Sequence, residues 1–243
     1  MAPQGNPLQR LVRRAASSIG RRFGDPDALA AQMAAMLRHF EIDVVLDVGA
    51  NTGQYGLSLR SGGYSQRIVS FEPLNAAHAR LTSRAARDPR WTVHPRCAVG
   101  NTLGHVDINV AQNSVSSSIR PMLPAHYEAA PESQFVATER VDLITLDSVY
   151  GQYCSAGNRV WLKIDTQGFE KEVLDGAVVA SPAIRAVQLE LSLVPLYEGQ
   201  SLWEYFLSRM QREGYELWAF IPGFSDLRTG RSLQVDVVFA RPA

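Results

Sequence analysis

The stretch Val44-Val45-Leu46-Asp47-Val48-Gly49-Ala50-Asn51-Thr52-Gly53-Gln54-Tyr55-Gly56 constrains the fold more than any other part of the chain. Its apolar opening reads as a buried strand, an acid stands near the strand's tip, and small residues lead into a helical pattern from Gly53. A strand feeding a glycine-rich loop at a helix N-terminus is how open α/β sheets hold nucleotide-like ligands. Alternation continues beyond it. Strands are expected at Arg67–Phe71, Trp91–Val99, Val160–Asp165 and Ala186–Leu191, with helices at Gly53–Arg60, Asn75–Arg87 (capped by Asn75), Gly168–Val179 and Leu202–Glu213. Tyr215–Phe220 and Leu233–Ala240 are strands with no helix-length segment between them, so this last pair should be antiparallel.

Two regions depart from that rhythm. Asp25-Pro26-Asp27 starts a helix, with Asp25 as N-cap and Leu29, Met33, Met36, Leu37 and Phe40 on its inner face. It should pack on the sheet and cover part of the site's mouth. Ahead of it, residues 1–24 hold Arg10, Arg13, Arg14, Arg21 and Arg22 and no acid, which makes 1–41 a basic extension plus a helix. That arm is read as a solvated or partner-packed extension; contact with an anionic membrane surface, or with a second copy in a homodimer, is the alternative. The second departure is an insertion at 105–147. Val106–Ala111 and Arg140–Leu146 are expected to pair as a hairpin, around a serine-rich and proline-broken loop that covers the acceptor.

The loop chemistry narrows the ligand. Asn51 stands where a dinucleotide fingerprint needs its second glycine, which disfavours a pyrophosphate and suits a phosphate-free ligand such as S-adenosylmethionine. Glu72 closes the second strand, where an acid accepts from ribose hydroxyls. Cys97-Ala98-Val99 ends the third strand, beside an adenine edge. Lys163 and Asp165 share one side of their strand, and Glu190 holds the corresponding place on the next. Asp165 is the leading candidate for a general base or metal ligand, with His126 and His105 as secondary bases. Asp165 and Glu190 together are a candidate Mg²⁺ pair. Tyr197, Trp203, Trp218 and Phe224 offer aromatic surface for an acceptor, and Leu196–Gly199 could line its cleft.

Taken in order, Asp47–Gly53, Phe71-Glu72-Pro73, Thr145-Leu146-Asp147 and Lys163–Glu170 resemble the FkbM-type family of S-adenosylmethionine-dependent methyltransferases across residues 42–240. The family's Asp-Val-Glu-Gly-Ala-Glu stands here as Asp165-Thr166-Gln167-Gly168-Phe169-Glu170, with an amide in place of the middle acid. The resemblance implies the class I methyltransferase fold, α/β and Rossmann-like. Its sheet has seven strands, mostly parallel with the last antiparallel, and helices cover both faces; the methyltransferase domain would be 42–243. It also implies O-methylation of a hydroxyl, on a sugar of a glycolipid, polysaccharide or glycosylated natural product. Donor contacts would come from Asp47, Gly49, Ala50, Asn51, Gly53 and Tyr55, then from Glu72 with Pro73, from Ala98 with Val99, and from Asp165. The rivals are an NAD-dependent dehydrogenase and a non-catalytic S-adenosylmethionine-binding subunit.

Composition limits partners and compartment. With zero formal net charge, nothing global favours nucleic acid. Cys97 and Cys154 make no disulfide framework, no apolar run reaches bilayer length, and the start lacks a signal-peptide pattern. A cytoplasmic protein is expected, with peripheral attachment at the inner membrane face as the variant.

Overall fold

The computed structural model describes residues 26–242; Asp25 and the arginine-bearing segment 1–24 lie outside them. The described chain opens with α1 (Pro26–His39), β1 (Val44–Val48), α2 (Gln54–Ser61), β2 (Arg67–Phe71), α3 (Asn75–Ala85) and β3 (Trp91–Val93). The middle holds β4 (Ala98–Gly100), β5 (Gly104–Ala111), α4 (Pro124–Ala129), β6 (Phe135–Thr145), α5 (Leu146–Tyr153), β7 (Val160–Ile164) and α6 (Glu170–Asp175). It ends with β8 (Ile184–Ser192), α7 (Trp203–Arg212), β9 (Glu216–Pro222), the short pair β10 (Ser225–Asp226) and β11 (Arg231–Ser232), and β12 (Gln234–Ala240).

β1 is buried at every position and lies inside a seven-stranded sheet of order β3-β2-β1-β7-β8-β12-β9. Every pairing is parallel except those of β12, which runs antiparallel to both β8 and β9. The antiparallel strand expected at the chain's end is therefore inserted one place in from the edge.

Period-two alternation divides the sheet into two faces. Val44, Leu46 and Val48 pack with Leu162, Ile164, Val187 and Phe239 on one; Val45, Trp161, Ala186 and Val238 meet Met33, Leu37 and Phe40 of α1 on the other. A buried side chain of this size stabilises by about 1.5–3 kcal/mol, enough to fix which face each strand presents. On the α1 face four neighbouring strands, β1, β7, β8 and β12, then change character toward one edge. Val45 is followed two positions on by Asp47, Trp161 by Lys163 and Asp165, and Ala186 by Gln188 and Glu190. On β12, which runs the other way, Asp236 precedes Val238. Register aligns Asp47 with Lys163 and Lys163 with Gln188, and sets Asp236 opposite Glu190. A polar edge on an apolar base is thus assembled from four strands.

Several boundaries differ from expectation for identifiable reasons. The third strand is cut at Val93, and after His94-Pro95 the chain leaves for a second sheet of order β4-β6-β5; Pro95 has no N–H for a ladder. β6 begins at Phe135, five residues before the expected start, and pairs antiparallel with β5. Asn75 is not the cap of its helix. Leu74 is, and the Asn75 N–H donates to Glu139 Oε2 at 2.9 Å. Helix α5 was not expected; Thr145 caps it by accepting from the Ser148 N–H, and Asp147 in its first turn accepts from the Val179 and Ala180 amides. Among the described residues, no helix is long and apolar enough to cross a membrane.

Candidate active site at the polar edge of the sheet

The loop after β1 is fixed from below. The Gly49 and Ala50 amides donate to the Phe71 carbonyl at 3.1 and 3.0 Å, tying it to β2. Gly49 has φ +80°, and a Cβ there would lie 1.8 Å from the Asp165 carbonyl oxygen, so only glycine lets β7 end against the loop. Asn51 takes a left-handed conformation, φ 48°, which turns its N–H onto Glu72 Oε2 at 2.7 Å. The other carboxylate oxygen of Glu72 accepts from the Leu74 N–H at 2.8 Å. Both oxygens are therefore oriented by backbone amides and keep acceptor capacity for a ligand. Burial pushes the Glu72 carboxyl up to about 7, with the two amides offsetting only part of it.

Above this loop lies one cavity of about 380 Å³. Toward β2 and β4 it is a mostly apolar slot walled by Phe71, Glu72, Pro73, Leu74, Ala98, Val99 and Phe169, roofed by loop residues from Ser114 to Ile119. Toward β8 and β12 its walls are Leu29, Met33, Tyr55, Gln188, Ile221 and Asp236. Lys163 and Asp165 stand where the two halves join.

Charge in this second half is lopsided. Among the described residues, Lys163 is the only cation lining the cavity. Its buried ammonium reaches Asp165 Oδ2 at 3.3 Å, the Gly49 carbonyl at 3.4 Å and Asp47 Oδ1 at 3.5 Å, and lies 5.4 Å from the centre of the Tyr55 ring. Burial opposes its charge, but Asp165 and Asp47 together win and hold it protonated more firmly than a free lysine. Asp47 is fully buried and moves upward, chiefly by desolvation, with Lys163 as the main offset. Stripping one partner from such a pair costs about 3–5 kcal/mol, so Lys163 and Asp47 stand or fall together.

Gln167 organises the far wall. It too is left-handed, φ 54°. Its Nε2 donates to Asp165 Oδ1 at 2.9 Å and to Glu190 Oε2 at 2.5 Å, while the Tyr197 hydroxyl donates to its Oε1 at 2.8 Å. Gln234 Nε2 adds a second donor to Glu190 Oε2 at 2.7 Å. The expected Mg²⁺ pair is corrected here: Asp165 and Glu190 do converge, but an amide NH₂ already fills the place between them and the Lys163 ammonium faces one of them. This donor set does not fit a hard dication that wants several oxygens around it. Among the described residues, no group of three or more His, Cys, Asp or Glu side chains is placed to hold a metal.

Other expected positions move as well. Asp47 lies under the loop, bonded to the Ser70 hydroxyl at 3.2 Å, and does not line the cavity. Gly53 faces away from it, where a Cβ would press on Leu81 and Trp91. His126, expected as a base, is buried against Tyr197 and Phe224 outside the cavity wall; burial holds its imidazole down to about 4. His105 pairs with Asp142 at 2.9 Å on the exposed hairpin. The aromatic acceptor surface is absent from the cavity lining: Trp218 stacks on His39, Trp203 packs on the main core, and Leu196 and Tyr197 are fully buried. The serine-rich loop roofs the apolar slot, the half away from the acids, and the Pro-rich segment 120–132 does not reach the cavity. Gly49, Ala50, Asn51, Tyr55, Glu72, Pro73, Ala98, Val99 and Asp165 do line it.

Two polar residues, central to the acid-lined half, are among the cavity residues that escaped the sequence reading. Asp236 is one; Gln188, whose Nε2 donates to Asp236 Oδ1 at 3.1 Å and whose Oε1 accepts from the Tyr55 hydroxyl at 2.8 Å, is the other. The signal was present. Gln234 and Asp236 are polar residues two apart in an otherwise apolar strand, the mark of one face turning polar at its end.

A family profile described as the methyltransferase FkbM domain matches residues 47–217. No curated protein matches the chain significantly. Among solved structures, the methyltransferase FkbM of Methylobacillus flagellatus aligns at 15% identity and TM-score 0.48, over 81% of this chain and 43% of that one. This chain thus spans less than half the length of that relative. Magnesium protoporphyrin IX methyltransferase of Synechocystis aligns at 11% identity and TM-score 0.48, covering 100% and 87% of the two chains. The 1,6-didemethyltoxoflavin-N1-methyltransferase of Burkholderia thailandensis aligns at 9% and 0.46, covering 100% and 93%.

Proposed function

The chain belongs to the FkbM methyltransferase family, and from that membership we propose that it carries a methyl group from S-adenosylmethionine to a hydroxyl, most simply one on a sugar. One observation carries the reading: a single cavity joins a Glu72 carboxylate oriented by backbone amides to an acid-lined half beyond Asp165. Glu72 is set to accept from ribose hydroxyls, Pro73, Ala98 and Val99 to flank an adenine, and Gly49–Asn51 to border the methionine end. The excess of carboxylates around Lys163 suits a ligand bearing ammonium and sulfonium charge. When bound, the donor supplies an electrophilic methyl on a cationic sulfur.

The protein's part is alignment and proton handling. Fixing oxygen, carbon and sulfur in line supplies about 7–11 kcal/mol at best. Asp165, held by Lys163 and Gln167 at the junction, faces the point where donor and acceptor meet. The acceptor half mixes apolar walls from Leu29, Met33 and Ile221 with carboxylates, so it favours a neutral polyol over a phosphate or uronate. A glycolipid, polysaccharide or glycosylated natural product meets that description. A cytoplasmic site of action, contact of the basic arm with a membrane, and a homodimer belong to the same proposal.

The two rivals fare less well. A dehydrogenase is disfavoured by the family and by Asn51, whose amide is committed to Glu72. A non-catalytic binding subunit would have no use for carboxylates directed into the acceptor half. Methyl transfer from labelled S-adenosylmethionine into a panel of methyl glycosides and a polar-lipid extract separates these. Label in a hydroxyl-derived ether supports the proposal; donor binding without transfer favours the subunit, and no donor binding overturns both.

A further inference from the structure

Four acids lie in or behind the wall of the acceptor half, and their partners differ. Asp47 is sealed under the loop, and Glu190 is held by Gln167 and Gln234 behind the cavity wall. Asp165 accepts on both oxygens, from Lys163 on one and from Gln167 on the other. Asp236 lines the cavity and accepts only at Oδ1, from Gln188; among the described residues nothing donates to its Oδ2.

Resting on the methyl-transfer reading, we propose that Asp236 is the catalytic residue that takes the acceptor hydroxyl's proton. The Tyr55–Gln188 pair positions it: Tyr55 donates to the amide oxygen of Gln188, leaving the NH₂ to hold Asp236 Oδ1 and aim Oδ2 at the cavity. In the step, the methyl–sulfur bond breaks with its electrons passing to sulfur, and the acceptor oxygen bonds the methyl carbon. The O–H proton passes to Asp236 Oδ2. The products are a methyl ether, S-adenosylhomocysteine and a neutral Asp236, which returns its proton to water between turnovers.

The surroundings tune this carboxyl for the task. Lys163 and Asp165 face it from β7, Gln188 and its register partner Glu190 from β8, and Tyr55 from α2; Ile221 of β9 and Leu29 and Met33 of α1 are apolar. Burial, then the charge of Asp165, pushes Asp236 up to about 6, against the pull of Gln188 and Lys163. A general base works ionised, so turnover should fall as pH drops through that value.

The test is Asp236→Asn, which keeps the size and the Gln188 contact. Labelled methyl transfer into methyl glycosides and polar-lipid extract is followed from acid to alkaline pH at saturating donor, with S-adenosylmethionine affinity measured calorimetrically on the same samples. Expected is a wild-type rate falling toward tenfold per pH unit below about 6, and a variant slower by about a hundredfold or more, flat over that range. Its donor affinity should stay within about twofold of wild type, which also shows that it is folded. A variant that retains more than about a tenth of the rate, or keeps the acidic limb, overturns the assignment. Wild-type protein that binds no donor, or transfers nothing, instead defeats the methyl-transfer reading, and the role of Asp236 falls with it.

Discussion

Gln167 does in this site what a cation would do elsewhere, since one neutral amide satisfies two converging carboxylates. Gln167→Glu would place three acids together, and the expected outcome is a newly acquired affinity for Mn²⁺ or Mg²⁺, read by calorimetry on the apo protein; wild type should show none. A variant with no gain would mean that Lys163 alone keeps cations out. Glu72 supplies a pH dependence. Its carboxyl stands at about 7 in the free cavity and accepts best when ionised, so donor affinity should weaken as pH falls through about 7 and strengthen above it. Glu72→Gln should flatten that profile at a lower affinity. The sequence made the position of Glu72, Asn51 and Asp165 on the cavity legible because loop and strand-end positions follow from local pattern. It misplaced Asp47 because its direction, under the loop and not into the cavity, is decided by a lysine arriving from a strand 116 residues later in the chain. His126 misled in the same way: a histidine in a proline-rich segment reads as an available base until Tyr197 and Phe224 close over it.

At the scale of elements, the serine-rich loop is the roof of the slot, and it is stitched to the loop after β7. The Ser118 hydroxyl donates to the Gln167 carbonyl at 2.6 Å; Arg120 donates to the Gly168 carbonyl and to Glu172 Oε1, each at 2.7 Å. Among the described residues, a single hydrogen bond, from Asn51 Nδ2 to Ser114 Oγ at 3.3 Å, ties the loop to the opposite rim. Arg120→Ala should release the roof, leave a buried carbonyl and Glu172 short of partners, and cost about 1–3 kcal/mol. Faster amide exchange over residues 112–120, with β1 and β7 unchanged, would confirm it; uniform protection would contradict it. β1 and β2 were legible to the residue, because unbroken apolar runs bounded by turn residues admit few readings. Helix α5 was not, since Leu146-Asp147-Ser148-Val149-Tyr150-Gly151-Gln152-Tyr153 carries poor helix formers and depends on its Thr145 cap and on packing.

On the scale of the whole molecule, a chain of zero formal net charge concentrates acids at one edge of its sheet. The strand order puts the polar ends of β1, β7, β8 and β12 side by side, although β12 is almost two hundred residues from β1 and runs against its neighbours. Sequence could foresee that the last pair is antiparallel, because nothing between β9 and β12 is long enough for a crossover. The alternation of Gln234 and Asp236 hints that one face of this strand turns polar, but that the face meets the cavity beside Gln188 follows only from the register of β12 on β8. The most direct test of the account is calorimetric titration of the wild-type chain with S-adenosylmethionine, repeated on Glu72→Gln. One site per chain is predicted, with affinity falling about tenfold to a hundredfold in the variant as charge-assisted hydrogen bonds to the ribose are lost. No binding by wild type, or binding that the substitution leaves unchanged, would contradict it.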